Sequence, residues 1–222
     1  MQWQRLCAKA KVNNIQMLLG SREIKTVLDV GCGTGVVLSE MQRRNIGSEH
    51  IGIDVEASKE HVDPQARNLT LREYDGKTLP FRDNSFDLAY ASHVVEHVLH
   101  PRMFLQEMSR VAKKVIYVEV PCETHIRRTH RSIQRSLDIG HINCHTPETF
   151  LVLLQTSGLE VMAFEIFDHS FEIYQFLCNS YIRAGVTMAV RRVPFTINRV
   201  LSSRLFTYHC GALCKRSDSS FI

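Results

Sequence analysis

The sequence predicts an α/β fold, a mostly parallel sheet with helices on both faces. Three observations predict it. The stretch TVLDVGCGTG (26–35) joins an apolar, β-branched run to glycines at 31, 33 and 35, and an apolar helical face follows at Val36, Val37, Leu38 and Met41. Strand, glycine turn and helix start in that order form a ligand cradle at the carboxyl edge of a parallel sheet. A second short strand, HIGIDV (50–55), carries an acid near its end, roughly 20 residues after the glycines, as nucleotide-binding α/β folds do. Beyond it, strand-like runs near 68–74, 86–92, 115–120 and 159–166 alternate with helical patterns.

Length and composition narrow the class further. A chain of 222 residues suits one α/β domain, and 44% hydrophobic with 23% charged residues suits a soluble globule. The net charge of +4 is too small to demand a nucleic-acid partner. Seven cysteines, at 7, 32, 122, 144, 178, 210 and 214, include no CxxC pair. Neither a disulfide framework nor a zinc ribbon is indicated, and a reducing, cytoplasmic setting is expected. The first residues lack a signal-peptide core, and no run of ~18 apolar residues would span a membrane.

In order, Trp3, Leu6, Cys7, Ile15, Leu18 and Leu19 have helical spacing up to Gly20 and predict a helix over the sheet edge or the mouth of the site. The turn after the first strand is GxGxG. With Val36 it misses the dinucleotide pattern GxGxxG/A, and without a GK[ST] ending it is not a phosphate loop. Asp54 is placed to accept bonds from ribose hydroxyls, with Glu56 in reserve. A polar helical segment (56–67) leads to the third strand and to Asp75-Gly76. Phe86, Leu88 and Tyr90 lead into the fourth strand, which ends near Ala91-Ser92.

HVVEHV (93–98) then reads as a helix start. His93 and His97 lie four apart on one helical face. They form either an acid/base or metal pair or a hydrogen-bond network at the helix start. The network is the leading reading for Glu96 and His97, while His93 lies nearer the ligand end of the strand. Pro101 opens a helix that Lys113-Lys114 end, and the fifth strand runs to Pro121-Cys122. HIRRTHRSIQR (125–135) is either a solvated loop or a mobile lid. As a lid, the guanidinium forks of Arg127, Arg128 and Arg131 would bind a phosphate or carboxylate on a substrate. His141, Cys144 and His145 match no zinc-finger spacing, so no metal is expected. Thr146 or a neighbour caps a helix begun by Pro147, and a sixth strand (159–166) follows. Amphipathic helices near 170–190 and 194–201, with several arginines, suit burial against the domain, a dimer face or peripheral membrane contact. A last strand is read at 205–215.

Two stretches carry a family resemblance. TVLDVGCGTG with Asp54, and LPF…DNSFDLAYASHVVEHV (79–98), resemble motif I and the fourth-strand region of the class I S-adenosylmethionine (SAM)-dependent methyltransferases, in particular methyltransferase type 11. The resemblance covers about 24–166. It implies a Rossmann-like seven-stranded sheet whose last strand is antiparallel, in one domain over 1–222. Within it, 1–23 form an N-terminal helix, 24–166 the core, 167–204 a helical insertion and 205–216 the last strand. It implies SAM as cofactor and S-adenosylhomocysteine as product. Asp29 would face the amino-acid end of SAM, and the turn of Gly31, Cys32, Gly33 and Gly35 would cradle it. Asp54 with Val55 would hold the ribose and Asp75 with Gly76 the adenine, while Ser92 and His93 would lie beside the sulfonium.

The resemblance also implies that the segment after Gly140 lines the acceptor pocket, so that His141 or His145, or else His93, serves as general base. A small-molecule oxygen acceptor is the first expectation, with amines and carbon acids left open. No DPPY or NPPY follows the fourth strand, which disfavours adenine-N6 and glutamine methylation. Pro121-Cys122 lacks the partner cysteine that RNA cytosine chemistry would need. Ala112-Lys113-Lys114 replaces the Pro-Gly-Gly turn often found before the fifth strand. The alternatives are an RNA methyltransferase using the basic stretch 125–135 and a catalytically silent assembly factor. A nucleic-acid partner is not expected, because no appended RNA-binding domain is seen.

Overall fold

The computed structural model describes residues 2–56 and 69–217. Seven strands form one sheet in the order β3-β2-β1-β4-β5-β7-β6. They are β1 (Thr26–Val30), β2 (Glu49–Asp54), β3 (Thr70–Glu73), β4 (Phe86–Ser92), β5 (Ala112–Cys122), β6 (Leu159–Phe167) and β7 (Tyr208–Arg216). The first five pair in parallel, and β7 is antiparallel to both β5 and β6. The chain winds outward from β1 to β3, then resumes on the other side of β1 with β4. The tips of β1 and β4 are therefore the switch point at which such sheets open a ligand crevice.

The central strands are nearly continuous apolar runs because both faces are covered. One face packs α3 (Pro101–Val111) and α5 (Pro147–Thr156) through Leu105, Met108, Phe150 and Leu154. The other packs α1 (Gln2–Leu19) and α2 (Val36–Arg43) through Val12, Ile15, Leu38 and Met41. Helix α1 buries Ala8, Val12, Ile15 and Leu19 at intervals of four and three. That spacing turns Cys7, Lys11 and Asn14 onto a neighbouring face, toward the sheet tips.

Several elements depart from the sequence reading. HVVEHV does not begin an α-helix. His93 has a φ of +62°, outside the right-handed region, and only a short 3-10 turn forms at Val95–His97. Strand β5 begins at Ala112, earlier than expected, because β4 pairs with it from Phe86 onward. The basic stretch is half helical. Thr129 caps α4 (His130–Asp138) with a reciprocal Ser132 bond. The helical segment expected at 56–67 lies almost wholly outside the described residues.

Between β6 and β7 the chain forms α6 (Phe171–Cys178), α7 (Tyr181–Ile197) and α8 (Arg199–Ser203). Ile182, Val186, Val190, Val193 and Ile197 stand exposed along α7. Among the described residues no helix is long and apolar enough to cross a membrane. The cysteine reading needs correction. Cys122 on β5 and Cys210 on β7 form a disulfide, their Cα atoms 6.4 Å apart and 88 residues apart in sequence. The antiparallel β5–β7 pairing brings them together, and spacing alone gives no hint of it.

Candidate functional site

The glycine turn is fixed by backbone and carboxylate bonds. Gly31 and Cys32 donate their N–H groups to the Ile53 carbonyl oxygen at 2.8 and 3.1 Å. Gly33 N–H donates to Asp54 Oδ2 at 2.8 Å, so the tip of β2 holds the loop after β1. The second Asp54 oxygen accepts from the Glu56 N–H. Gly31, Gly33 and Gly35 all have positive φ. At Gly31 the need is also steric, since an added Cβ would lie 2.4 Å from a Val94 methyl.

A cavity of about 510 Å³ opens at the switch point, inside the range of ligand pockets of roughly 300–1,000 Å³. Asp29, Gly31, Cys32 and Gly33 form one wall, with Ser92 and His93 at the tip of β4 beside them. Asp29 is buried and accepts a bond from the Tyr90 hydroxyl at 2.6 Å, across the Asp29–Tyr90 register of β1 and β4. Burial pushes the Asp29 carboxyl up to about 7, against the Tyr90 bond and the Lys11 ammonium, which lower it. Helix α1 closes the cavity with Trp3, Lys11 and Asn14. Lys11 Nζ donates to the Ser92 carbonyl oxygen at 3.2 Å.

Glu119, in the middle of β5, is the polar hub of the opposite wall. One carboxylate oxygen accepts from Tyr117 at 2.5 Å and Asn14 at 2.9 Å. The other accepts from Ser92 at 3.3 Å and faces His93 Nε2 at 3.4 Å. Burial raises its pKa, but His93, His209 and Tyr117 outweigh that and hold it down at about 2. His93 Nδ1 faces Glu96 at 3.3 Å. Burial and Lys11 depress the His93 imidazole, yet its two carboxylate neighbours leave it above the ordinary histidine value. His209 and His169 complete the wall. Burial comes first in keeping both below that value, helped for His209 by His93 and for His169 by Arg191.

The other residues named from the sequence lie in two groups. Asp54, Val55, Asp75 and Gly76 sit together at the tips of β2 and β3, where a Cβ on Gly76 would lie 3.0 Å from Val55. Asp75 is exposed, and one of its oxygens accepts from Lys77 and Thr78 N–H groups. None of the four lines the cavity, and Asp54 meets the glycine turn through Gly33. His141 and His145 do not line the cavity. His141 Nδ1 lies 3.1 Å from Glu123 and its ring packs edge-on against His97, while His145 is buried against Phe150. The arginines also lie outside it. Arg127 stacks over Phe206, Arg128 pairs with Glu123 at 3.8 Å, and Arg131 is exposed on α4. The sequence reading passed over Lys11, Asn14, Glu119, His169 and His209. The lone acid in the apolar run VIYVEV was the one local clue.

A nucleotide-type crevice with an acid inside β1 and another at the tip of β2, on a sheet whose last strand runs antiparallel, defines the class I methyltransferase fold. The chain belongs to the methyltransferase-domain family, whose model matches residues 3–163, and that family is SAM-dependent. It is 38% identical over 91 residues to an uncharacterized methyltransferase of Mycobacterium sp. (strain JLS), covering 40% of this chain and 35% of that protein. It is 31% identical over 93 residues to a ubiquinone biosynthesis O-methyltransferase of Maricaulis maris (strain MCS10), covering 39% of this chain and 36% of that one. The matches thus span about a third of the length of these curated relatives. Among solved structures, geranyl diphosphate C-methyltransferase from Streptomyces coelicolor A3(2) superposes with a TM-score of 0.68 at 16% identity. That superposition covers 94% of this chain and 79% of the other, and at such identity it speaks for the fold.

Proposed function

We propose that the chain transfers the methyl group of SAM to an oxygen of a small-molecule acceptor. The observation that carries this is the cavity at the β1/β4 switch point, walled by the glycine turn and Asp29 on one side and by Ser92, His93 and Glu119 on the other. On this reading SAM lies across the tips of β1 and β2. Its ribose hydroxyls donate to Asp54, its adenine meets Asp75 and Gly76 beyond Val55, and its ammonium faces Asp29. The sulfonium then points toward Ser92 and His93. The acceptor oxygen attacks the methyl carbon in line with the carbon–sulfur bond, which breaks to leave the thioether of S-adenosylhomocysteine. The acceptor proton passes to a cavity imidazole. Of the three histidines named from the sequence only His93 faces the cavity, and its two carboxylate neighbours favour its charged form, so the neighbouring His169, held below the ordinary value by burial, is the imidazole free to take the proton.

The oxygen acceptor is supported by the O-methyltransferase relative and by the cavity imidazoles. Incubation with SAM carrying a deuterated methyl group and a small-molecule cell extract should place the label in O-methyl ethers. Label confined to RNA or to amines would contradict the proposal.

Asp29 makes SAM binding pH-dependent. The groups facing it are Tyr90 from β4, Lys11 from α1, Asp54 from β2 and Cys32 beside it. Burial pushes the Tyr90 hydroxyl and the Cys32 thiol far up, so neither ionises near neutrality. With Asp29 at about 7, its carboxyl is neutral below that pH and charged above it. A cationic ligand favours the charged form. Affinity for SAM should therefore fall from pH 8 to pH 6, by up to ~10-fold per unit below the pKa. Calorimetry should show proton release on binding at pH 6.5, and Asp29→Asn should flatten the profile.

The lid reading of the basic stretch is tested separately. Arg127 and Arg128 are engaged with Phe206 and Glu123. For them to serve the acceptor, these contacts must open when it arrives. Double replacement by alanine should then raise the acceptor KM several-fold and leave SAM affinity unchanged. An unchanged KM accompanied by a lower Tm would make the two arginines purely structural.

A further inference from the structure

We propose that His93, Glu119 and His209 form a divalent metal site on the cavity wall, of a kind that accepts Zn²⁺. The three residues come from the tip of β4, the middle of β5 and the start of β7. Each offers one ligand atom, and these atoms lie within 4.8 Å of one another. His93 Nε2 and Glu119 Oε1 are already 3.4 Å apart. Donors sharing a tetrahedral ion at ~2.1 Å stand about 3.4 Å from each other. Small side-chain rotations would bring His209 to that spacing with no change in the sheet. Two imidazoles and one carboxylate are a common catalytic zinc set, and the remaining positions would face the cavity.

Two further observations point to a missing cation. Glu96 is fully buried, and the cations that face it are the imidazoles of His93 and His97. Its ion-pair partner is His93 Nδ1 at 3.3 Å. A buried carboxylate costs several kcal/mol unless a full positive charge stands near it. Within this group one imidazole is shared by two buried carboxylates. A metal on Nε2 would add the missing charge and fix Nδ1–H toward Glu96, the carboxylate–histidine–metal arrangement that orients ligating histidines. The second observation is His209 Nδ1, which is buried with no hydrogen-bond partner. An imidazole nitrogen left bare at a cavity wall is a ready metal donor.

This deepens the proposed methyl transfer and rests on it for its chemistry. The open positions lie where the acceptor oxygen would meet the methyl group. A hydroxyl bound there loses its proton more readily. The proton passes to His169, whose ring centroid lies 4.7 Å from that of His209. The oxygen–methyl bond then forms as the methyl–sulfur bond breaks.

Metal binding is measured without SAM, on the whole chain after treatment with a chelator. Zn²⁺ should bind one-to-one with a micromolar or lower Kd and raise the Tm. Co²⁺ should give visible bands of a nitrogen–oxygen site with no thiolate charge-transfer band. His209→Ala should weaken Zn²⁺ binding at least 100-fold. Glu96→Gln should weaken it about 10-fold, the usual scale for an outer partner. His141→Ala removes the neighbouring Glu96–His97–His141 group and should change nothing. If His209→Ala does not fold, His93→Asn replaces it in the same titration. The absence of saturable Zn²⁺ binding by the wild type would overturn the site, as would binding that survives loss of His209 or His93. SAM titration of the same sample stands apart, so failure of the metal site leaves the methyl-donor reading intact.

Discussion

Replacing Asp54 with alanine is expected to weaken SAM binding by about 100-fold or more while moving the Tm little. The carboxylate stands at the tip of β2, where each oxygen already accepts a backbone N–H, from Gly33 and from Glu56. Both acceptors are exposed, so water can replace them in the unliganded protein at small cost. With SAM bound, the same group would take the ribose hydroxyls in a partly dehydrated site. Hydrogen bonds to a charged group contribute roughly 1.5–3 kcal/mol each, so two lost bonds come to ~3 kcal/mol or more. That corresponds to two decades or more in Kd. The variant also frees the turn at Gly33, which would lose part of its preorganisation. Asp54→Asn should fall between, because an amide oxygen still accepts but carries no charge. Calorimetry and thermal unfolding separate the two effects. A large loss of Tm with unchanged affinity would remove Asp54 from the site.

The second large effect is expected at Gly31, and there stability fails first. Alanine at a left-handed position costs about 1–2 kcal/mol. Its Cβ would also lie 2.4 Å from one Val94 methyl and 3.0 Å from the other. Overpacking of this kind typically costs ~1–3 kcal/mol. Together they predict a loss of about 2–5 kcal/mol, or roughly 5–15 °C in Tm for a chain of this size. The clash also falls next to His93, so the cavity wall shifts with it. Gly33→Ala is the control. Its φ is +50° but nothing lies within 4 Å of the added Cβ, so it should lose about 1 kcal/mol. Equal Tm losses for the two variants would show that the packing of Gly31 against Val94 carries no weight.

The glycine turn and the acid that holds it were legible in the sequence because they are local. Strand, glycine turn and the next strand's acid lie within residues 26–55, and the fold keeps them in contact through Gly33 and Asp54. The opposite wall of the cavity was not legible in the same way. Asn14, Glu119 and His209 are far apart in the chain and meet only when α1 lies across the sheet and β7 enters it antiparallel beside β5. Sequence reasoning turned instead to histidines clustered in sequence, at 141 and 145, which pack outside the cavity. For the arginines of 125–135 it left a solvated loop and a lid both open, because clustering is visible and partners such as Phe206 are not. The Cys122–Cys210 bridge is a third instance of one strand pairing setting what spacing could not.

The measurement that bears most directly on all of this is a calorimetric titration of the wild-type chain with S-adenosylhomocysteine, paired with its thermal shift. A nucleoside seated across β1 and β2 predicts saturable one-to-one heat, a Kd in the micromolar range and a higher Tm. Flat heat and an unmoved Tm would contradict it.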